Sequence, residues 1–495
     1  MKKIYSLLII TFVLSSCTDL TEDLYDRIPG DKYPENEIQG ALLTGPIYEP
    51  MREFLDNAGW WFCQEVPSDE LVFPTRNTDW DDGGKWRVLH QQTWTNTTEA
   101  INSMWSRYYQ GIGEANQLLE LLGEENQDPA AKATISKIKI MRAYYYYLLI
   151  DNYGDVPFVT SFSDAEELPG KDDKADIWTA IVADVEEGVS HLGPGRSKTS
   201  VTRGMAWSLL AKLYLNAEIY TGTPYWAEAE EACDSILELG YSLQPHPLAP
   251  FITENQDSPE NIFTIPYHED TYQGFNLHMR TLHYSHNLTY AMTAGPWNGC
   301  AATEAHYNSY EDGDIRKEEG FLVGQQYTID GVEIVDATAD AKLVINPYIP
   351  ALQMDLTYSY EEIRMSGARV SKFEIKKGAK ENLSNDFPIF RLADIYLMKA
   401  EAMLRQNKSA AEAVSYVNEI RERAEATTWS AGDLNLESLL AERGREMFFE
   451  GHRRQDQIRF GTFNKAWWEK SVSSTDRNTF PIPQWVIDSN PNLGN

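Results

Sequence analysis

Apolar residues recur at helical spacing through most of this chain. Between 96 and 122, Ile101, Met104, Trp105, Tyr108, Ile112 and Leu119 share one face for about six turns. Asn96, with Glu99 three residues on, supplies a capping box for that helix. Asp128-Pro129 opens a second helix in cap-then-proline order, and NYGDVPF ends it. Further helices are predicted over 173–192, 202–220 and 226–239, the last stopped by Gly240. Near the C-terminus, 387–461 reads as three more: FPIFRLADIYLMKAEAMLRQN, KSAAEAVSYVNEIRERAEA and LNLESLLAERGREMFFEGHRRQDQIRFG. The helices number about eight, in hairpins of tetratricopeptide length with Ala-rich interiors. Hairpins of this kind stack side by side and bury a continuous core.

From 244 to 386 the periodicity drops, while Pro, Gly, Asn and aromatic residues rise. FITENQDSPENIFTIPYHED, RTLHYSHNLTY and GFLVGQQYTIDGVEIVDA read as short strands and loops, with RVSKFEI (369–375) the last strand before the helices resume. The predicted fold is therefore mostly α: a tetratricopeptide-like helical-repeat body of about four helix pairs with a loop-rich, mixed insertion lobe. Residues 36–495 form a single domain on this reading, with helical pairs within about 96–243 and 387–461 and the lobe at about 244–386.

Composition narrows the function. Hydrophobic residues make up 42% and aromatics 12% of the 495 residues, so the chain folds around a large core. A net charge of −32 repels nucleic acid and anionic lipid alike, and neither is expected as a partner. The N-terminus places the protein. MKKIYSLLIITFVLSSC has two lysines, a short apolar run and small residues, a secretory signal peptide over 1–16. Leu14-Ser15-Ser16-Cys17 looks like a bacterial lipobox, which makes Cys17 the lipidated residue and 17–35 an acidic tether, and more than one acyl chain anchors stably. Of the other thiols, Cys63, Cys233 and Cys300, an odd number, all three are expected to stay unpaired.

The lipobox, RAYYYYLLIDNYGDVPF, TRGMAWSLLAKLYLNAEIY, NSYEDGDIRKEEGFLVGQQYTIDG, FRLADIYLMKAEA, and RGREMFFEGHRRQDQIRFG with the terminal FPIP stand in an order that resembles the RagB/SusD family of surface glycan-binding lipoproteins. The resemblance runs from about residue 14 to the C-terminus. It implies a protein of the outer membrane, facing the exterior, that captures oligosaccharide or polysaccharide and hands it to a SusC-like TonB-dependent transporter. It also implies a ligand platform built from the N-terminal loop region and the insertion lobe.

Sugar recognition uses flat aromatics for the C–H faces of the rings and amides or charges for the hydroxyls. Trp80 and Trp86 flank the turn Asp81-Asp82-Gly83-Gly84, and Trp297 sits in AGPWNGC; tryptophans so placed are held toward solvent. They are the leading candidates, with Asn298, Asp69 and Arg369 as hydrogen-bonding partners and Cys300 as a residue lining the site. No catalytic residue, cofactor or metal is expected. His283 and His286, three apart in a predicted strand, fall on opposite faces, and Asp312-Gly313-Asp314 lacks the rest of a calcium loop. GxSxG, HExxH, P-loop and GxGxxG patterns are absent. Two other readings stay open: a lipid-anchored glycoside hydrolase, since carboxylates are plentiful, and a helical-repeat scaffold that binds only protein.

Overall fold

The computed structural model describes residues 37–164, 166–193 and 195–494. The signal peptide, Cys17 and the tether lie outside the described residues. Nine helices carry the description below: α1 (Glu99–Leu122), α2 (Pro129–Tyr153), α3 (Lys174–Val189), α4 (Arg203–Leu215), α5 (Trp226–Leu237), α6 (Leu392–Arg405), α7 (Ala410–Arg423), α8 (Leu436–Met447) and α9 (Arg453–Arg459).

Their starts follow from local chemistry. The Asp128 carboxylate accepts from the amides of Ala130 and Ala131, at 2.9 and 3.2 Å, and Pro129 takes a position whose amide would go unused. Asp173 caps α3 and Thr202 caps α4 in the same way. Asn96 does not cap α1: the helix begins at Glu99, and Asn96 instead donates to Gln484 Oε1 at 2.6 Å. α2 is apolar around much of its girth, so it is buried on several sides. Its four consecutive tyrosines, Tyr144 to Tyr147, all enter the core, and Tyr145 and Tyr146 donate to the carbonyls of Ile47 and Val159 at 2.6 and 2.8 Å. α1 comes close to α2 because Gly111 lies under the Tyr145 ring, where a Cβ would collide.

Each helix packs on the next, α1 on α2, α2 on α3, α3 on α4 and α4 on α5. α5 then packs directly on α6, so the stack continues as though the lobe between them were absent. α6, α7 and α8 enclose a second small core of Leu397, Met403, Val417 and Ile420. This is the helical-repeat architecture the periodicity predicts.

Three expectations need correcting. FPIFR is not helical: Phe387–Arg391 is a fully buried strand paired antiparallel with Asn261–Ile265, and the two close the neck of the lobe. RVSKFEI contributes only the short strand Arg369–Val370, so Phe387–Arg391 is the last strand. The predicted third C-terminal helix breaks into α8 and α9 at 448–452, where Phe449 and Gly451 take φ of 71° and 82°. A Cβ at Gly451 would also strike the Trp60 ring.

Two small strand pairs position the N-terminal loop. Leu71–Val72 runs antiparallel to Ala301–Ala302, and Thr75–Arg76 runs parallel to Gln353–Met354. Both stitch residues 71–80 onto the lobe. No helix among the described residues is long and apolar enough to cross a membrane.

Candidate functional site

The stitching brings Trp80 against the AGPWNGC loop, more than two hundred residues away in sequence. Trp80 Nε1 donates to the Trp297 carbonyl at 2.8 Å. The amides of Trp297, Asn298, Gly299 and Cys300 donate to the carbonyls of Met279, Leu282 and Arg280, at 2.6 to 2.9 Å, so the loop is held along its length. Gly299 has to be glycine, because a Cβ there would collide with the Trp80 indole and the Arg280 carbonyl. Trp80 itself has φ of 60°, at the head of a turn in which Asp82, Gly83 and Gly84 also have positive φ.

Trp80 and Trp297 are both part-exposed and line one cleft of about 680 Å³ with Asp56, Asn57, Asp79, Asn276, Arg280 and Tyr284. Arg280 is 2% exposed, and burial draws its pKa down to about 10. It donates to Asn276 and Asn57 at 2.9 and 3.0 Å and lies over the rings of Phe62 and Trp297. Tyr284 donates to the Asp79 carboxylate, and burial together with that carboxylate raises its pKa to about 12. A cleft of this size falls within the range of roughly 300–1,000 Å³ usual for small-ligand sites.

Trp86 is elsewhere. It is 1% exposed, stacked on Phe73 at 4.8 Å and packed against Phe62, and its Nε1 donates to Asp82 at 2.7 Å. The turn does separate Trp80 from Trp86, but Lys85–His90 forms a helix whose inner face takes the second indole into the core. Trp86 therefore props Trp80, 5.8 Å away between ring centres, from behind.

Asn298 and Arg369 are fully buried and meet each other: Arg369 donates to Asn298 Oδ1 at 2.8 Å and to the carbonyls of Ser366, Gly367 and Arg364. They brace the loop from beneath and present nothing to solvent. Cys300 is buried and free, with a thiol pushed up to about 12 by burial; Cys63 and Cys233 are also free and buried. Asp69 is half-exposed but lies outside the cleft lining, gripped by Arg453 at 2.8 and 2.9 Å. His283 and His286 stand at a tight turn rather than on a strand. His283 pairs with Asp336 at 2.8 Å, and His286 accepts from the His283 amide at 2.9 Å. The Asp314 carboxylate is taken up by Arg316 at 2.8 Å.

Comparison with known proteins bears on the chain as a whole. The family model described as "SusD family" matches residues 259–495, and one described as "Starch-binding associating with outer membrane" matches residues 66–215. Between them the two models cover most of the chain, which is SusD-like. Starch-binding protein SusD of Bacteroides thetaiotaomicron is 25% identical over 477 residues, covering 87% of this chain and 83% of its own. SusD-like protein P25 of Formosa agariphila is also 25% identical, covering 80% and 78%. Among solved structures, a SusD superfamily protein from Parabacteroides distasonis superimposes with a TM-score of 0.74 at 19% identity, over 92% of this chain and 97% of that one. A laminarin-binding SusD-like protein does so at 0.72 and 21%, over 92% and 98%.

In this SusD-like chain the RGREMFFEGHRRQD segment lies in the interior. Glu446 accepts from Arg316, Arg391 and Arg423 at 2.9, 2.8 and 2.6 Å, and those guanidinium groups hold its carboxyl far below the usual range. Glu442 takes Arg316, Arg421 and Arg445, and Glu450 takes Arg391 and Lys372. Arg316 and Lys372 belong to the lobe, so this buried network is what ties the lobe to the helices. Among the cleft-lining residues, Asp56, Asn57, Asp79, Asn276, Arg280 and Tyr284 were not singled out from sequence. Asp79 flanks Trp80 directly, and that adjacency was the one available signal.

Proposed function

We propose that this protein is a lipid-anchored glycan-binding protein of the outer membrane that captures oligosaccharide or polysaccharide in the Trp80–Trp297 cleft and delivers it to a SusC-like TonB-dependent transporter. The observation that carries the proposal is the meeting of two part-exposed tryptophans, from distant loops, in one cleft edged by carboxylates and amides. Part-exposed indoles offer flat faces to sugar C–H groups, while Asp56, Asp79, Asn57 and Asn276 are placed for hydroxyls. The names of the relatives, one starch-binding and one laminarin-binding, support carbohydrate as the ligand class, and relatives named for binding support a role without catalysis. The description of the second family model supports the outer membrane as the location. Residues 1–16 act as signal peptide, Cys17 carries the lipid, 17–35 form the tether, and 36–495 act as one domain.

Calorimetry or affinity electrophoresis against a polysaccharide panel tests the site. Trp80→Ala and Trp297→Ala are each expected to weaken binding by about tenfold or more, equivalent to about 1.4 kcal/mol. Wild-type affinity in both variants refutes the cleft as the binding site. Cys17→Ala is expected to move the protein from the membrane to the soluble fraction, and membrane retention refutes the anchor.

A further inference from the structure

The charges around the cleft are unevenly placed. Asp56, Asp79 and Asp82 line it, and all three are exposed. The one guanidinium group among the lining residues is occupied, and the others nearby stand behind the lining. Arg280 is buried and spent on Asn57, Asn276 and two ring faces. Arg364 lies over the Tyr284 ring and pairs with Asp336 at 2.7 Å. Arg76 is buried and donates to the carbonyls of Ile363 and Ser366 at 2.7 and 2.9 Å. Arg87, behind the turn, pairs with Asp81 at 2.7 Å.

The carboxylates keep capacity to accept. Asp79 takes the Tyr284 hydroxyl and Asp82 the Trp86 indole N–H, each leaving lone pairs over. Asp56 has no hydrogen-bonded or ion-paired side-chain partner among the described residues. An array of carboxylates beside two indoles suits a ligand that brings hydroxyl donors and no negative charge. A uronate or sulfate is best met by a free guanidinium or ammonium group, and the one cationic side chain lining the cleft, Arg280, is buried and engaged. It would also have to approach a chain whose net charge is −32.

We infer that the Trp80–Trp297 cleft selects neutral glycans and rejects polyuronates and sulfated polysaccharides. The inference rests on the reading of the cleft as the glycan site, and it adds the chemical class.

The test uses the purified full chain on an array holding neutral α- and β-glucans, polygalacturonate, alginate and a sulfated glycosaminoglycan. Wild type is expected to bind at least one neutral glycan, to lose about tenfold or more of that affinity in Trp297→Ala, and to bind the anionic polymers at least about a hundredfold more weakly. Asp56→Lys is expected to raise the ratio of polyuronate to neutral-glycan affinity by about tenfold at about 0.01 M ionic strength, with the gain gone near 1 M. An anionic polymer bound by wild type and lost in Trp297→Ala overturns the class while the cleft stands as a glycan site. An unchanged ratio in Asp56→Lys overturns the class as well. Binding of no glycan, or of none that responds to Trp297→Ala, overturns the underlying reading and the class with it.

Discussion

Gly299→Ala probes the platform with a single methyl group. The new Cβ would lie 2.8 Å from the Arg280 carbonyl oxygen and closer still to the Trp80 indole. The carbonyl cannot swing aside, because it already accepts from the amides of Gly299 and Cys300 at 2.7 and 2.8 Å. The indole or the loop must therefore move, and either motion breaks the bond from Trp80 to the Trp297 carbonyl. Overpacking of this kind costs about 1–3 kcal/mol, and the lost hydrogen bond adds about 0.5–1.5 kcal/mol. Urea unfolding should show a loss of about 2–4 kcal/mol. Glycan affinity, measured at a urea-free temperature well below the melting point, should fall about tenfold or more. Gly295→Ala is the control on the same loop. Its Cβ would meet only the Tyr284 carbonyl, at 3.9 Å, an ordinary contact. That variant should keep stability within about 0.5 kcal/mol. If Gly299→Ala matches Gly295→Ala in both measurements, the indole is not seated against Gly299 in solution and the platform described here is wrong.

Trp86→Ala, unlike Trp80→Ala, should act on stability first: removal of a fully buried indole costs about 3–5 kcal/mol, read as a lower urea midpoint. Glu446→Gln leaves Arg316, Arg391 and Arg423 buried with one charge fewer and should cost about 3–5 kcal/mol in the same assay; an unchanged midpoint would mean the network is hydrated. Burial lowers the pKa of His278 from 6.5 to about 4, so the unfolded chain takes up a proton between those values and the folded chain does not. Its contribution is complete above pH 6.5 and is lost as pH falls toward 4, on the order of 3 kcal/mol over the whole window. His278→Gln should flatten the fall in stability between pH 6.5 and 4, and an unaltered slope would show that His278 titrates normally.

The helices were legible because their signals are local. Asp128-Pro129, Asp173 and Thr202 announce starts that need no tertiary contact, and the face of α1 repeats over six turns. FPIFR is ambiguous in sequence because a short apolar run of four, closed by Arg391, fits a helix start or a buried strand. What decides it is Asn261–Ile265, more than a hundred residues earlier. The two helices α8 and α9 share one periodic pattern, and the break between them lies where Phe449 and Gly451 take positive φ and Gly451 packs against Trp60, a contact that sequence does not show. Turn chemistry brought out Trp80 and Trp297, which the structure places part-exposed in one cleft. It said nothing of the direction in which Trp86 points, which depends on Phe62 and Phe73. The polar lining was hidden for the same reason: Asp56, Asp79 and Arg280 come from three separate segments and meet only through tertiary contacts such as Arg280 to Asn57 and Tyr284 to Asp79.

The buried charges add direction to these contacts. Two-residue strands supply few ladder hydrogen bonds, and apolar contacts are non-directional, so directional pairs add to what the five-residue neck pairing holds. Guanidinium–carboxylate pairs are directional, and once buried they are costly to break singly. Arg316 and Lys372 reach from the lobe into the Glu442, Glu446 and Glu450 cluster, while Arg391, at the end of the neck strand, holds Glu446 and Glu450, Arg423, on α7, holds Glu446, and Arg421 and Arg445 hold Glu442. The lobe is thus keyed to the frame at α8, leaving its outer loops to differ without disturbing either the α5–α6 contact or the angle at which the cleft is presented.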